Sequence, residues 1–299
     1  MAPNVERTLV TGASGFVGRA LVPALLAAGH EVRAATRRPA AYRGPGDPVR
    51  LDVSDGTGLA EALDGCGTAY YLVHSMEAAE FEARDREAAG RFADAASAAG
   101  ARVVYLGGLG EGAVSEHLRS RHEVGRILRD RADTIELRAA VVLGRGGASF
   151  EIMRQLVERL PAMVCPKWVT TRCQPIALPD MVRYLVAGPG LEAGTYDVGG
   201  PDILTYEQMM RRYAALTGRR RLIVKVPVLS PRLSSLWLGL VTDLPASVGR
   251  PLVEGLTVEV IAADDRIRSL VPFTLLGYDD AVRLALAPHL EELEEHGDE

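Results

Sequence analysis

The stretch with the most specific chemistry is Thr8 to Gly18, TLVTGASGFVG, where a short apolar strand runs into glycines at 12, 15 and 18 and then into an apolar helix. A turn of this kind binds phosphates through its backbone. Gly12 takes the tight turn, Gly15 lets the main chain approach a pyrophosphate, and Gly18 lets helix and strand pack closely. The helix start adds N–H groups with no partner of their own, so Gly12, Ser14, Gly15, Phe16, Val17 and Gly18 are expected to hold a dinucleotide.

About twenty residues beyond such a turn, folds that select NAD place an acid for the ribose 2′-hydroxyl. Here the second predicted strand ends in Arg37 and Arg38. Two guanidiniums suit a 2′-phosphate through paired charge-assisted bonds, so the expected cofactor is NADP(H). Asp52 and Val53, closing the third strand, are expected to meet the adenine, although an Asp there equally suits a cap on the following turn. Leu72, Val73 and His74, at the end of the fourth strand, are expected to border the nicotinamide half. Proton transfer near neutrality points to the histidines: His74, and His117 and His122 on one predicted helix, with His117 facing solvent.

These residues need a scaffold that brings strand ends together. Apolar runs alternate with helical patterns over Arg7 to Val10, Val17 to Ala28, Glu31 to Thr36, Thr57 to Leu63 and Ala69 to Val73. That rhythm predicts a doubly wound parallel α/β sheet, with runs such as Tyr70 to Val73 and Val103 to Leu106 buried on both faces. Further helices are predicted over Glu77 to Ala99 and Ser115 to Arg131, followed by one strand over Ile135 to Leu143. After residue 145 the pattern loosens, with helices near Phe150 to Arg159, from Pro179-Asp180, and over Thr205 to Leu216 behind a capping box. The expected division is a dinucleotide-binding domain over 1–145, a smaller lobe over 146–290 partly interleaved with it, and an acidic tail over 291–299.

With 299 residues, 47% of them hydrophobic, the chain can bury a sizeable core. A net charge of -5 argues against nucleic acid as a partner. Cys66, Cys165 and Cys173 have no metal-binding spacing, so no metal site is expected and the protein reads as reduced and cytoplasmic. No signal peptide is recognised, and the apolar run Leu233 to Val241 is far short of the about 20 residues that span a membrane. The apolar, proline-containing segment Val226 to Leu256 reads either as a cover for an apolar pocket or as a core or homodimer contact.

The motifs TGASGFVG, TRRP, LDVSD and YLVHS resemble those of the atypical short-chain dehydrogenases/reductases, in the NmrA-like or NAD(P)H-binding branch. Downstream, LRAAVVLGRG (137–146), QPIALPDMVRYL (174–185) and YDVGGPDILTYEQMM (196–210) resemble the substrate-lobe landmarks of extended, epimerase-like members. The resemblance implies a Rossmann sheet, a small C-terminal substrate lobe and hydride chemistry. It also implies a Tyr and, four residues later, a Lys on the helix after the fifth strand, but those positions hold Leu118 and His122. Gly107 and Gly108 stand where serines normally close that strand. His122 inherits a position that faces the nicotinamide ribose, so His122 is the first catalytic candidate, water an alternative proton source, and His74 the second candidate. The expected activity is NADPH-dependent reduction of a carbonyl, imine or conjugated double bond in a mostly apolar small molecule. The alternative is an NADP(H)-binding regulator or assembly factor without turnover. Nucleotide-sugar epimerisation is weaker, because that chemistry uses the dyad.

Overall fold

Continuous apolar strands hide both faces only when helices cover the sheet on each side. The computed structural model describes residues 6–74, 81–110, 115–226 and 255–287. Its strands are β1 (Arg7–Val10), β2 (Glu31–Thr36), β3 (Asp47–Arg50), β4 (Thr68–Tyr71), β5 (Arg102–Gly108), β6 (Thr134–Ala139), β7 (Val142–Leu143), β8 (Ala162–Pro166), β9 (Arg172–Cys173), β10 (Ile176–Ala177), β11 (Gly194–Val198), β12 (Leu204–Thr205) and β13 (Leu222–Val226). The helices are α1 (Phe16–Ala27), α2 (Leu59–Leu63), α3 (Phe81–Ala99), α4 (Glu116–Arg131), α5 (Ala148–Arg159), α6 (Leu178–Ala187), α7 (Tyr206–Leu216), α8 (Arg266–Leu270) and α9 (Tyr278–Leu286).

Seven strands form one parallel sheet in the order β11-β6-β5-β4-β1-β2-β3. This is the expected doubly wound Rossmann sheet, and its order reverses between β1 and β4, where a crevice opens beyond the strand ends. Strand alternation divides the core between the two faces. Leu9, Tyr71 and Val103 pack with Phe92, Val124 and Leu128 of α3 and α4. Val10, Tyr70 and Val104 pack with Leu21, Leu25, Met181 and Leu185 of α1 and α6. A third cluster joins α5, α7 and α9 through Phe150, Leu156, Met209, Tyr213 and Val282.

The single strand expected over Ile135 to Leu143 is two strands. The chain leaves the main sheet after Ala139, and Val142 and Leu143 pair instead with Ile176 and Ala177 of β10. β4 likewise ends at Tyr71, which frees Leu72, Val73 and His74 to form a wall of the crevice. The seventh strand of the sheet, β11, comes from beyond residue 145. The predicted start of α3 at Glu77, most of the 226–256 segment and the acidic tail lie outside the described residues.

The capping box forms as read. Thr205 Oγ1 accepts from Gln208 N–H at 3.1 Å, and Gln208 Oε1 accepts from Thr205 N–H at 2.7 Å. A Thr205→Ala variant is expected to lose about 1 kcal/mol in denaturant unfolding. An unchanged midpoint would mean that packing alone holds the helix start.

Candidate active site

Two adjoining clefts lie across the β1/β4 switch point. One of about 640 Å³ runs along the ends of β1, β2 and β3 and includes Gly12, Ser14, Gly15, Arg37, Arg38, Asp52, Val53 and Arg84. The other, of about 420 Å³, lies toward β5 and β6 and includes Phe16, Val17 and Gly18. Gly12, Gly15, Leu72, Val73 and His74 border both. The arrangement suits an elongated ligand whose middle rests on the start of α1.

Sterics explain that turn. Gly12 has φ +66°, and a Cβ at Gly18 would lie 2.2 Å from the Gly12 carbonyl oxygen. Thr11 clamps the loop to β4: its hydroxyl donates to Tyr70 O at 2.9 Å and accepts from Leu72 N–H at 3.0 Å. The first bond within α1 runs from Arg19 N–H to Gly15 O at 3.0 Å, so the N–H groups of Phe16, Val17 and Gly18 precede it. No side chain caps this helix start and no acid occupies its first turn, which leaves the positive end of the helix open to an anion. The residues present therefore fit a dinucleotide pyrophosphate.

At the other end, Arg37 and Arg38 are exposed and form no ion pair with an acid among the described residues. Arg84 of α3 joins them on the same cleft. Nothing in the sequence distinguishes Arg84, because it sits in a helix rich in charges of both signs. Asp52 lines the cleft and also caps its turn: Oδ1 accepts from Ser54 N–H at 3.0 Å and from Ser54 Oγ at 2.5 Å.

The histidines are arranged differently from expectation. His122 does not line either cleft; its Nε2 lies 3.0 Å from Gly108 O, against β5. His117, expected to face solvent, lines the cleft beside Ser115, Leu118 and Arg121. The Ser115 cap starts α4 in a register that turns 117, 118 and 121 toward the crevice and 122 toward the strand. His74 links to both neighbours. Its Nδ1 is 2.6 Å from Asp85 Oδ2, and its Nε2 is 2.8 Å from His117 Nδ1. Asp85 is only 3% exposed and also accepts from Ser120 Oγ at 3.3 Å. Burial lowers the His74 and His122 pKa values below the ordinary imidazole range, opposed at His74 by Asp85. Burial together with the nearby His74 and Arg121 pushes His117 down to about 3.

The glycines at the end of β5 also have a steric cause. A Cβ on Gly108 would meet Leu118 Cδ1 at 2.5 Å, and one on Gly107 would meet Glu136 Oε1 at 2.7 Å. Leu118 and Glu136 thus occupy the space that hydroxyl-bearing side chains would need. The buried thiols are inert to ionisation, with Cys165 pushed up to about 11 and Cys173 to about 12 by burial.

A family model described as NAD(P)H-binding matches residues 12–143. A dihydroflavonol 4-reductase of Hordeum vulgare is 37% identical over 99 residues, 29% of this chain and 27% of that protein. An uncharacterised protein of Mycobacterium tuberculosis is 29% identical over 230 residues, 75% of this chain and 24% of that protein. The chain therefore spans about a quarter or less of the curated relatives it matches. Among solved structures, a short-chain dehydrogenase/reductase superfamily protein from Agrobacterium tumefaciens with bound NAD superposes with TM-score 0.70 at 20% identity, covering 97% of this chain and 99% of that one.

The chain shares the Rossmann fold of solved short-chain dehydrogenase/reductase structures, and residues 12–143 match the NAD(P)H-binding family model. The cofactor is a nicotinamide dinucleotide. Among the described residues no helix is long and apolar enough to cross a membrane.

Proposed function

We propose that this protein is an NADPH-dependent reductase of a carbonyl, imine or conjugated double bond in a mostly apolar small molecule. The observation that carries the reading is the apolar wall facing the nicotinamide side of the cofactor cleft, formed by Leu106, Leu109, Leu118, Val141, Leu256 and Val260. It continues into a recess of about 50 Å³ among Phe150, Met153, Leu156, Met209 and Met210. Such a surface gains little from a charged or sugar-like ligand and gains about 25 cal/mol for each Å² of apolar area buried. When bound, the reduced nicotinamide supplies a hydride equivalent. The chain's part is to fix the cofactor by the loop after β1, to hold the acceptor against the apolar wall, and to exclude water. In this reading the Rossmann half carries the cofactor, and α5, α7 and the chain around Leu256 and Val260 hold the substrate.

NADP(H) is the preferred form, because Arg37 and Arg38 line this cleft and form no ion pair with an acid among the described residues, which leaves their charge for a 2′-phosphate. NADPH is expected to bind roughly 30-fold more tightly than NADH, equivalent to about 2 kcal/mol for exposed charge-assisted bonds. The Arg37→Ala, Arg38→Ala double variant is expected to lose most of that preference while keeping its NADH affinity. Equal affinities in the unaltered protein, measured by titration calorimetry, would remove the 2′-phosphate assignment.

Turnover is tested by following NADPH absorbance across ketones, enones, imines and quinones of graded hydrophobicity. Consumption that rises with substrate hydrophobicity is the expected result. Gly107, Gly108 and Leu118 carry no hydroxyl or phenol at the positions where the family resemblance implies serines and a tyrosine, an observation that favours a second reading, a non-catalytic NADP(H)-binding regulator. Tight NADPH binding without consumption on any of these compounds would favour it.

A further inference from the structure

Reduction of a C=O, C=N or C=C bond needs a proton as well as a hydride, and neither Leu118 nor His122 is placed to give one. We propose, on the reductase reading above, that Asp85, His74 and His117 form a one-proton relay that delivers this proton from His117 Nε2 into the cleft.

The hydrogen-bond distances define the relay. Asp85 Oδ2, His74 Nδ1, His74 Nε2 and His117 Nδ1 stand in sequence, separated by 2.6 Å and 2.8 Å across the two gaps. His117 Nε2 is the last nitrogen of the series, has no hydrogen-bond partner among the described residues, and belongs to a ring that borders the cleft. An imidazole both donates and accepts, so two proton arrangements satisfy both links. In the loaded state His74 is an imidazolium, donating from Nδ1 to the Asp85 carboxylate and from Nε2 to His117 Nδ1. His117 is then neutral and carries its proton on Nε2. In the unloaded state His74 is neutral with its proton on Nδ1, and His117 donates from Nδ1 to His74 Nε2, leaving a lone pair on Nε2.

The two states differ by one proton. A bound reduced nicotinamide would supply the hydride equivalent to the acceptor carbon; the π bond would then break and its electron pair move to the oxygen, nitrogen or neighbouring carbon. The Nε2–H bond of His117 breaks as that atom gains its proton, and the Nε2 proton of His74 shifts to His117 Nδ1. After product leaves, a solvent proton reloads the pair. His117 is neutral at both ends of the step, which agrees with the strong depression of its basicity. The positive charge rests on His74, where the buried Asp85 carboxylate offsets it.

Asp85 is a positioning residue and His117 the proton donor. Ser120 Oγ orients the carboxylate from α4. Burial of His74 opposes loading most and the charge of Arg121, on the same face of α4, adds to it, with Asp85 acting against both; the phenols of Tyr71 and Tyr105, raised by burial, stay neutral nearby. Loading needs a bound proton, so turnover is expected to fall as pH rises through the relay's titration. Removing the Asp85 charge makes loading harder and moves that fall to lower pH.

Two measurements test the relay. The first is kinetic: His117→Ala is expected to lower kcat about 100-fold, with KM and NADPH affinity changed by less than about threefold. Asp85→Asn is expected to shift the falling limb of the pH–kcat profile down by about one unit or more. The second is imidazole NMR of the NADP⁺-bound protein, in which both rings are expected to report a single shared protonation event that Asp85→Asn moves to lower pH. Where Asp85→Asn impairs folding, His117→Gln in both measurements replaces it, with loss of kcat and of the shared titration expected. Turnover that survives His117→Ala, or two rings that titrate independently, would overturn the relay alone. Absence of NADPH consumption by the unaltered protein would overturn the reductase reading and proton delivery together.

Discussion

Glu136→Ala is expected to cost about 3 kcal/mol of stability, one of the two largest effects this fold offers to a single substitution. The Glu136 side chain is fully buried in β6, the second strand from the β11 edge. It forms ion pairs with Arg129 of α4 and with Arg138 Nε at 3.2 Å, and accepts from Thr195 Oγ1 at 3.3 Å. Removing one member of a buried ion pair leaves the other charge without compensation, typically at about 3–5 kcal/mol. The lower end applies, because the Arg129 and Arg138 side chains remain 28% and 24% exposed and can recover some hydration. The corresponding fall in Tm is roughly 5 °C for a chain of this size. Replacing Glu136, Arg129 and Arg138 together by apolar residues of similar volume is expected to restore most of the loss, because then no charge is stranded. Differential scanning calorimetry decides the matter: a Glu136→Ala protein that melts with the parent would show that the buried carboxylate holds nothing together. The cofactor cleft should be little affected in either variant, since Glu136 stands behind Gly107 and not in the crevice.

Glu136 also shows where sequence patterns stop. The strand Thr134–Ala139 reads as buried on both faces, and one acid inside it signals a partner, yet sequence cannot say that Arg129 of α4 supplies it. The doubly wound parallel sheet is legible because each strand carries its own apolar run and each crossover its own helix, with little dependence on distant residues. The phosphate turn was readable for a related reason: a positive φ at Gly12 and a Cβ-free approach at Gly18 are local demands that only glycine meets. Asp85 was not. In EFEARDREAAG it resembles the solvated acids beside it, and only the packing of α3 against α4 buries it next to His74 and Ser120. Analogy to the dyad singles out His122 and leaves His117 to solvent, whereas the cap at Ser115 sets the register in which His117 faces the cleft. The break at Ala140 was hidden because Val141 to Leu143 continue an apolar run although their hydrogen bonds go to a different strand.

The second large effect is expected at Gly18. In Gly18→Val the new Cβ would sit 2.2 Å from Gly12 O and 2.8 Å from Ala13 Cα, both main-chain atoms of the turn. Side chains move aside cheaply, but this loop is anchored to β4 by the two Thr11 hydroxyl bonds and by Thr11 N–H to Tyr70 O at 3.0 Å. Either α1 lifts off the sheet or the turn distorts. Both displace the N–H groups of Phe16, Val17 and Gly18 from the pyrophosphate position, so NADPH affinity is expected to fall at least about 100-fold, or about 2.7 kcal/mol, with a lower Tm. Gly15→Ala separates the two consequences. Its Cβ meets only Gly12 O, at 3.1 Å, so the fold should hold, but the methyl group takes the space through which the main chain meets the phosphates. Calorimetric titration with NADPH, paired with thermal unfolding, should therefore find Gly15→Ala weak in binding and near-parental in Tm, and Gly18→Val impaired in both. Gly190→Ala, whose Cβ would have nothing within 4 Å, should change neither. If Gly15→Ala and Gly18→Val both bind NADPH as the parent does, the phosphates do not lie on the start of α1, and the cofactor must cross the sheet elsewhere.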